Sequence, residues 1–144
     1  MKLSTKGRYA TRAMLDLALH SGGGPILIKD ISQRQEISEL YLKQLLIPLK
    51  VAGLVRAIRG ARGGFTLARP ASQIKLIELI QIMEGSTAPV ECVDDDRICS
   101  RSDLCVTRGV WVEMKKAMDK VLETNTLQDP VEQQKGKGQA KAGA

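Results

Sequence analysis

The sequence predicts a mainly α protein: a winged helix-turn-helix with a small β-hairpin wing, followed by a long C-terminal dimerisation helix. Three observations predict it. Two short segments of helical apolar period meet at a tight turn through Glu36 and Ile37, which is what a helix-turn-helix requires. Two short strand-like runs follow, joined by the glycine-rich Arg59-Gly60-Ala61-Arg62-Gly63-Gly64. Aromatic residues make up only 3% of the 144 residues while hydrophobic ones reach 43%, so the core is built from Leu, Ile, Val, Ala and Met, a composition that favours helices.

Residues 4–20 carry Tyr9, Met14, Leu15, Leu17, Ala18 and Leu19 with Arg8, Arg12 and Asp16 between them. This is an amphipathic helix, ended by Gly22, Gly23, Gly24 and Pro25. A second short helix is predicted from about Lys29 to Gln35, with Ile31 facing inward. Ser38 is a good N-cap for a third helix reaching about Val51, whose inward face carries Leu42, Leu45, Leu46 and Leu49. Pro48 lacks an N–H and its ring clashes with the carbonyl of Gln44, which predicts a kink or an early end.

Gly53 closes that helix. Leu54, Val55, Ala57 and Ile58 then read as one strand, and Phe65, Thr66 and Leu67 as the return strand of a wing. After Pro70, Ile74, Leu76, Ile77, Leu79, Ile80 and Met83 give a fourth helix expected to seal the winged domain. Residues 85–104 have no sustained period. From about Leu104 to Thr124 a long helix carries Val110, Trp111, Met114, Ala117, Met118, Val121 and Leu122 on one side, and such a helix needs a partner. A two-fold helix pair would match a palindromic operator. The expected organisation is a winged helix-turn-helix at 1–84, a cysteine-containing loop at 85–106, a dimerisation helix and following segment at 107–129, and a disordered tail at 130–144, which has no large apolar run.

Charge is unevenly distributed. Residues 1–69 hold 12 Lys/Arg against 4 Asp/Glu, whereas residues 70–144 hold 10 against 12. A concentrated basic half suits a polyanion, because neutralising phosphates releases counterions. Met1 leads into Lys2, Ser4, Thr5, Lys6 and Arg8 rather than an apolar segment, and no window approaches the ~18 apolar residues of a membrane span. The expectation is a cytoplasmic protein without a membrane partner.

In a helix-turn-helix the N-terminal residues of the second helix enter the major groove. Ser38, Glu39, Tyr41, Lys43 and Gln44 are therefore the groove candidates. Gln44 suits adenine, Lys43 guanine or a phosphate, and the hydroxyls of Ser38 and Tyr41 phosphate oxygens. Arg59 and Arg62 on the wing suit a minor groove, and Lys6 and Arg8 near the chain start are backbone clamps. The expected partner is double-stranded operator DNA.

Cys92, Cys99 and Cys105 are separated by six and then five residues, unlike the paired spacing of zinc ribbons or the bacterial ferredoxin run. Three thiols in a reducing compartment point to metal or redox chemistry rather than a disulfide framework. Three converging thiolates would tie down a loop that lacks its own core. The single histidine, His20, lies far off in sequence; Asp94 and Asp103 are nearer, and the spacing does not choose a fourth ligand. No nucleophile-base-acid constellation and no phosphate-binding glycine loop opening a helix is present, so an enzyme is not expected.

The opening Met1-Lys2-Leu3-Ser4-Thr5-Lys6-Gly7-Arg8-Tyr9-Ala10, the Ile37-Ser38 to Tyr41-Leu42 segment, Gly53-Leu54-Val55, the wing with Arg59, Gly60, Gly63, Gly64 and Phe65, and Cys105 followed by Trp111 carry a resemblance. Together they resemble the IscR-type iron-sulfur cluster regulators, a winged-helix family that also includes NsrR and the cysteine-metabolism repressors. The resemblance covers residues 1 to about 130. It implies a 2Fe-2S cluster held by Cys92, Cys99 and Cys105, and a homodimer whose long helices cross while its wings straddle an operator. It also implies control of iron-sulfur cluster biogenesis genes, with cluster donors from the iron-sulfur assembly machinery as partners. Nitric-oxide or redox response through the same fold, and cofactor-free control of cysteine metabolism, are the alternatives it leaves open. Arg108 occupies the position of the family's histidine ligand, and Lys43 the position of a groove-facing glutamate. Arg8 occupies the region near the chain start where NsrR-type sensors carry an aspartate.

Overall fold

A computed structural model describes residues 2–143, with side chains described for 2–137. Helix α1 (Thr5–Leu19) starts where the Ser4 side chain accepts a hydrogen bond from the Gly7 N–H at 3.0 Å, one of the orphan donors of a helix start. Helix α2 (Ile28–Gln35) ends at Glu36, which adopts the left-handed conformation at φ 55° and so turns the chain sharply enough to bury Ile37. Helix α3 (Glu39–Val51) is capped by Ser38, whose side chain accepts from the Tyr41 N–H at 3.2 Å. Pro48 neither ends α3 early nor stops its ladder, since the Ala52 N–H still reaches the Pro48 carbonyl at 3.0 Å. Leu45, Leu46 and Leu49 are buried around the proline, and that anchoring outweighs the one hydrogen bond it removes.

Strands β1 (Val55–Ile58) and β2 (Gly64–Leu67) form the antiparallel wing, with Val55 opposite Leu67 and Ile58 opposite Gly64. The wing is not free-standing. Ile26 bridges to Phe65, exchanging two backbone hydrogen bonds of 2.8 Å each. A side chain at Gly64 would meet the Ile26 carbonyl oxygen at 2.4 Å, so the close approach of the α1–α2 connection to the wing requires glycine there.

Helix α4 (Leu76–Glu84) follows a short 3-10 turn at Ala71–Gln73 and buries Ile77, Leu79, Ile80 and Met83. Residues 85–105 carry three further 3-10 turns, Glu91–Val93, Asp96–Ile98 and Ser102–Leu104. Helix α5 (Val106–Thr124) runs 19 residues without burying one of them. Val106, Val110, Met114 and Val121 are exposed along it. No helix among the described residues is long and apolar enough to cross a membrane.

The C-terminal region departs from expectation. Helix α6 (Gln128–Gly143) occupies most of the stretch expected to be disordered, residues 130–144, of which residue 144 lies outside the described residues. The chain returns from α5 to pair with the start of α4. The Leu76 N–H donates to the Asn125 carbonyl at 3.0 Å and the Leu127 N–H to the Ile74 carbonyl at 2.8 Å. Leu127 and Val131 then enter the core at 0% and 2% exposure, packed with residues of α1, α3 and α4. The winged domain is thus not closed by α4 alone, as the sequence suggested. Two apolar residues four apart suffice to dock one helical turn on a preformed surface, whereas composition averages them away. Leu127→Ala is expected to cost about 2–4 kcal/mol of folding free energy, read as a lowered urea midpoint with unchanged slope.

Candidate nucleic-acid interface and cysteine loop

The recognition surface is positioned by burial on its far side. Leu42, Leu45, Leu46 and Leu49 are at most 1% exposed, and this fixes the rotation of α3. Ser38, Glu39, Lys43 and Gln44 therefore stand exposed on the outer face. Tyr41 differs. It is half-buried, its ring edge-on to Tyr9 with centroids 6.0 Å apart and planes at 81°. Arg12 lies over the Tyr9 ring at 5.1 Å. Tyr41, a residue expected to reach phosphate, thus has a packing role that spacing did not reveal.

The same network continues into α2. Arg12 donates to the Gln35 side-chain oxygen at 3.3 Å and to the Gln35 carbonyl. Asp16, 1% exposed, accepts a two-pronged pair from Arg34, Nε to Oδ2 at 2.9 Å and a terminal nitrogen to Oδ1 at 2.7 Å. Gln35 adds a further donor to Oδ2 at 3.1 Å. His20 hydrogen-bonds the Asp16 carbonyl through Nδ1 at 2.9 Å, a local role remote in sequence from the cysteines. These contacts set α1 against α2, and through Tyr9 and Tyr41 they reach the first turn of α3.

Arg59 and Arg62 are exposed on the wing turn, and neither has an ion-pair partner among the described residues. Lys6 and Arg8 are exposed on the first turns of α1, with the Arg8 guanidinium donating to Thr5 Oγ1 at 3.2 Å. Lys50 and Arg56 add exposed cations between α3 and the wing. Sequence reasoning passed over both, although their place at the junction of helix and wing was readable from the strand pattern.

The cysteine loop is tied at its root. Thr87 donates to Asp119 of α5, which also receives Lys115 Nζ at 2.7 Å. Ser86 donates to Asp94. Cys92 and Cys105 are half-buried and Cys99 is exposed, all three as free thiols. The Cys105 thiol is held below its usual range, first by the Thr107 hydroxyl 3.1 Å away and then by backbone N–H groups opening α5, with Arg101 adding a smaller pull. Arg108 donates through Nε to the Cys92 carbonyl at 2.9 Å. The residue at the expected fourth-ligand position is therefore a clasp between α5 and the loop.

The donor chemistry of this loop suits a soft metal centre through its three thiols. A ready-made cage is another matter. Among the described residues no three His, Cys, Asp or Glu side chains come together as a metal-binding group.

Comparison with known proteins places these features in a family. Residues 3–133 match the Rrf2 family model, described as an iron-dependent transcriptional regulator. Protein rrf2 of Nitratidesulfovibrio vulgaris is 44% identical over 129 residues, covering 90% of this chain and 86% of that relative. The structure of CymR, the global cysteine regulator of B. subtilis, aligns with a TM-score of 0.78 at 39% identity over 92% of this chain and 97% of that one. The structure of T. potens IscR aligns with a TM-score of 0.76 at 41% identity over 92% and 88%. The expected mainly α winged helix-turn-helix is the fold shared with both. With a family match across most of its length and relatives at this identity, the chain belongs to the Rrf2 family of transcriptional regulators.

Proposed function

We propose that the protein is a homodimeric regulator that binds operator DNA through α3 and the wing, and that Cys92, Cys99 and Cys105 hold a 2Fe-2S cluster governing that binding. The genes controlled are those of iron-sulfur cluster biogenesis. The observation that carries the DNA half is the rotation of α3, which buries its leucines and leaves Ser38, Glu39, Lys43 and Gln44 exposed, with Arg59 and Arg62 exposed on the wing turn that follows. Lys6 and Arg8 would hold flanking phosphates. The exposed apolar side of α5 supports the dimer, since two copies packed there would remove it from water.

The cluster half rests on three thiols within one loop and on the family's iron-dependent description. A bound cluster would supply a redox-sensitive cross-link between parts of the loop. The loop runs from the end of α4 to the start of α5, so its setting bears on how α5 lies. Thr87, Asp119 and Arg108 transmit that setting to α5. At the other end, Glu84 accepts from the Ser4 N–H at 3.0 Å, linking the last turn of α4 to the cap of α1.

Anaerobic purification followed by visible absorption and analysis of iron and sulfide tests the cluster. About two irons and two sulfides per chain are expected, with Cys92→Ala colourless and still folded. A colourless, iron-free wild-type protein that binds duplex DNA would overturn the cluster half. It would favour the second reading, a cofactor-free regulator of cysteine metabolism. The observation on that side is that Arg108 stands at the fourth-ligand position and the three thiols are not gathered.

A further inference from the structure

The outward face of α3 is not a polar one. At about 100° per residue, Leu40, Gln44, Ile47 and Val51 fall on a single stripe, with Lys43 and Lys50 along one edge. Leu40 is 69% exposed, Ile47 62% and Val51 84%. They stand exposed on a helix whose opposite side, Leu42, Leu45, Leu46 and Leu49, is at most 1% exposed. Lys43 and Lys50 border this stripe, and on that side a shallow groove lined by Lys43, Ile47, Lys50, Ala57 and Phe65 separates α3 from the wing. A second copy of the chain is a poor occupant, because two-fold pairing of the same patch would set these cations against their own copies. A surface with anionic rims and an apolar floor is complementary to it. The thymine 5-methyl is the apolar group on the floor of the major groove.

We propose that Leu40 and Ile47 read thymine methyl groups, on either side of an adenine read by Gln44. The inference rests on the DNA-binding reading above and names the sequences that reading would select. Leu40 and Ile47 are two helical turns apart, about 10.5 Å along the axis. That distance is about three base-pair steps of 3.4 Å, so each half-site carries two thymines separated by about three steps. Val51, at the last helical position, lies toward the rim, because base contacts come from the N-terminal part of a recognition helix.

The test uses the full chain and short fluorescent duplexes selected from a random pool. Each selected duplex is resynthesised with deoxyuridine replacing thymine one position at a time, which removes the methyl and keeps the base pair. Loss of the methyl at two positions about three steps apart in each half-site is expected to weaken wild-type binding about fourfold each, the value of one buried methylene-sized group. Leu40→Ala loses its sensitivity at one position and Ile47→Ala at the other. Both side chains are exposed, so circular dichroism of the variants stays that of the wild type. Equal affinity of wild type for thymine and uracil duplexes overturns the proposal and leaves DNA binding intact. Selection that enriches no sequence overturns the DNA-binding reading itself. Dissociation of the oligomer in Leu40→Ala or Ile47→Ala, seen by sedimentation, gives the face to a second copy and also overturns the proposal.

Discussion

Arg34→Ala is expected to cost about 3–5 kcal/mol of folding free energy, more than Asp16→Ala at the other end of the same pair. The asymmetry follows from burial. The Asp16 side chain is 1% exposed while that of Arg34 is 36% exposed. Removing the arginine strands a carboxylate where water does not reach it. Removing the aspartate leaves a guanidinium that can turn to solvent. The Gln35 amide, which donates to Oδ2, and the His20 ring 3.7 Å from Oδ1 offer Asp16 only partial compensation. Urea unfolding followed by circular dichroism measures both variants, and equal losses would show that Asp16 is hydrated in the native protein. Because this pair joins α1 to α2, Arg34→Ala is also expected to weaken any activity that depends on the setting of α3.

The Arg59→Ala, Arg62→Ala double variant is expected to bind duplex DNA about 100-fold more weakly at physiological salt, with no change in urea midpoint. Both side chains are exposed and without ion-pair partners among the described residues, so their removal costs the fold nothing that the structure records. In a dimer four cations are lost from two wings. The slope of log affinity against log salt should therefore become shallower by about 3–4, at about 0.9 per phosphate released. An unchanged slope would mean that the wing does not touch the phosphate backbone.

Elements with strong periodicity or punctuation were legible in the sequence. Leu42, Leu45, Leu46 and Leu49 define the buried side of α3, and Ser38 caps it as its residue type suggests. Gly60 and Gly63 mark the wing turn between the two strands, while Gly64, expected in that turn, is the first residue of β2. What was not legible depends on distant pairing. Ile26 looks like loop until Phe65 is beside it. Leu127 and Val131 are two apolar residues in a polar stretch, and their burial depends on a surface assembled by α1 and α4. Tyr41 shows the same limit from the other side: its position marked it as surface, and only the fold brings Tyr9 against it.

The candidate sites divide in the same way. The exposed α3 residues are a consequence of helical period and were readable from it. The exposure of Leu40 and Ile47 follows from that period too, but a search for polar groove contacts passes over apolar side chains. In the loop, the spacing of Cys92, Cys99 and Cys105 reveals donor type alone. Their separation, and the hydrogen bond of Arg108 to the Cys92 carbonyl, belong to three dimensions.

The coupling between the loop and DNA is tested most directly by titrating one selected operator, at fixed salt and without oxygen, with iron-loaded wild type and with Cys92→Ala. Affinities that differ by about tenfold or more are expected, within the usual range of coupling between two sites. Superimposable binding curves from a loaded wild type and a colourless variant would contradict the coupling.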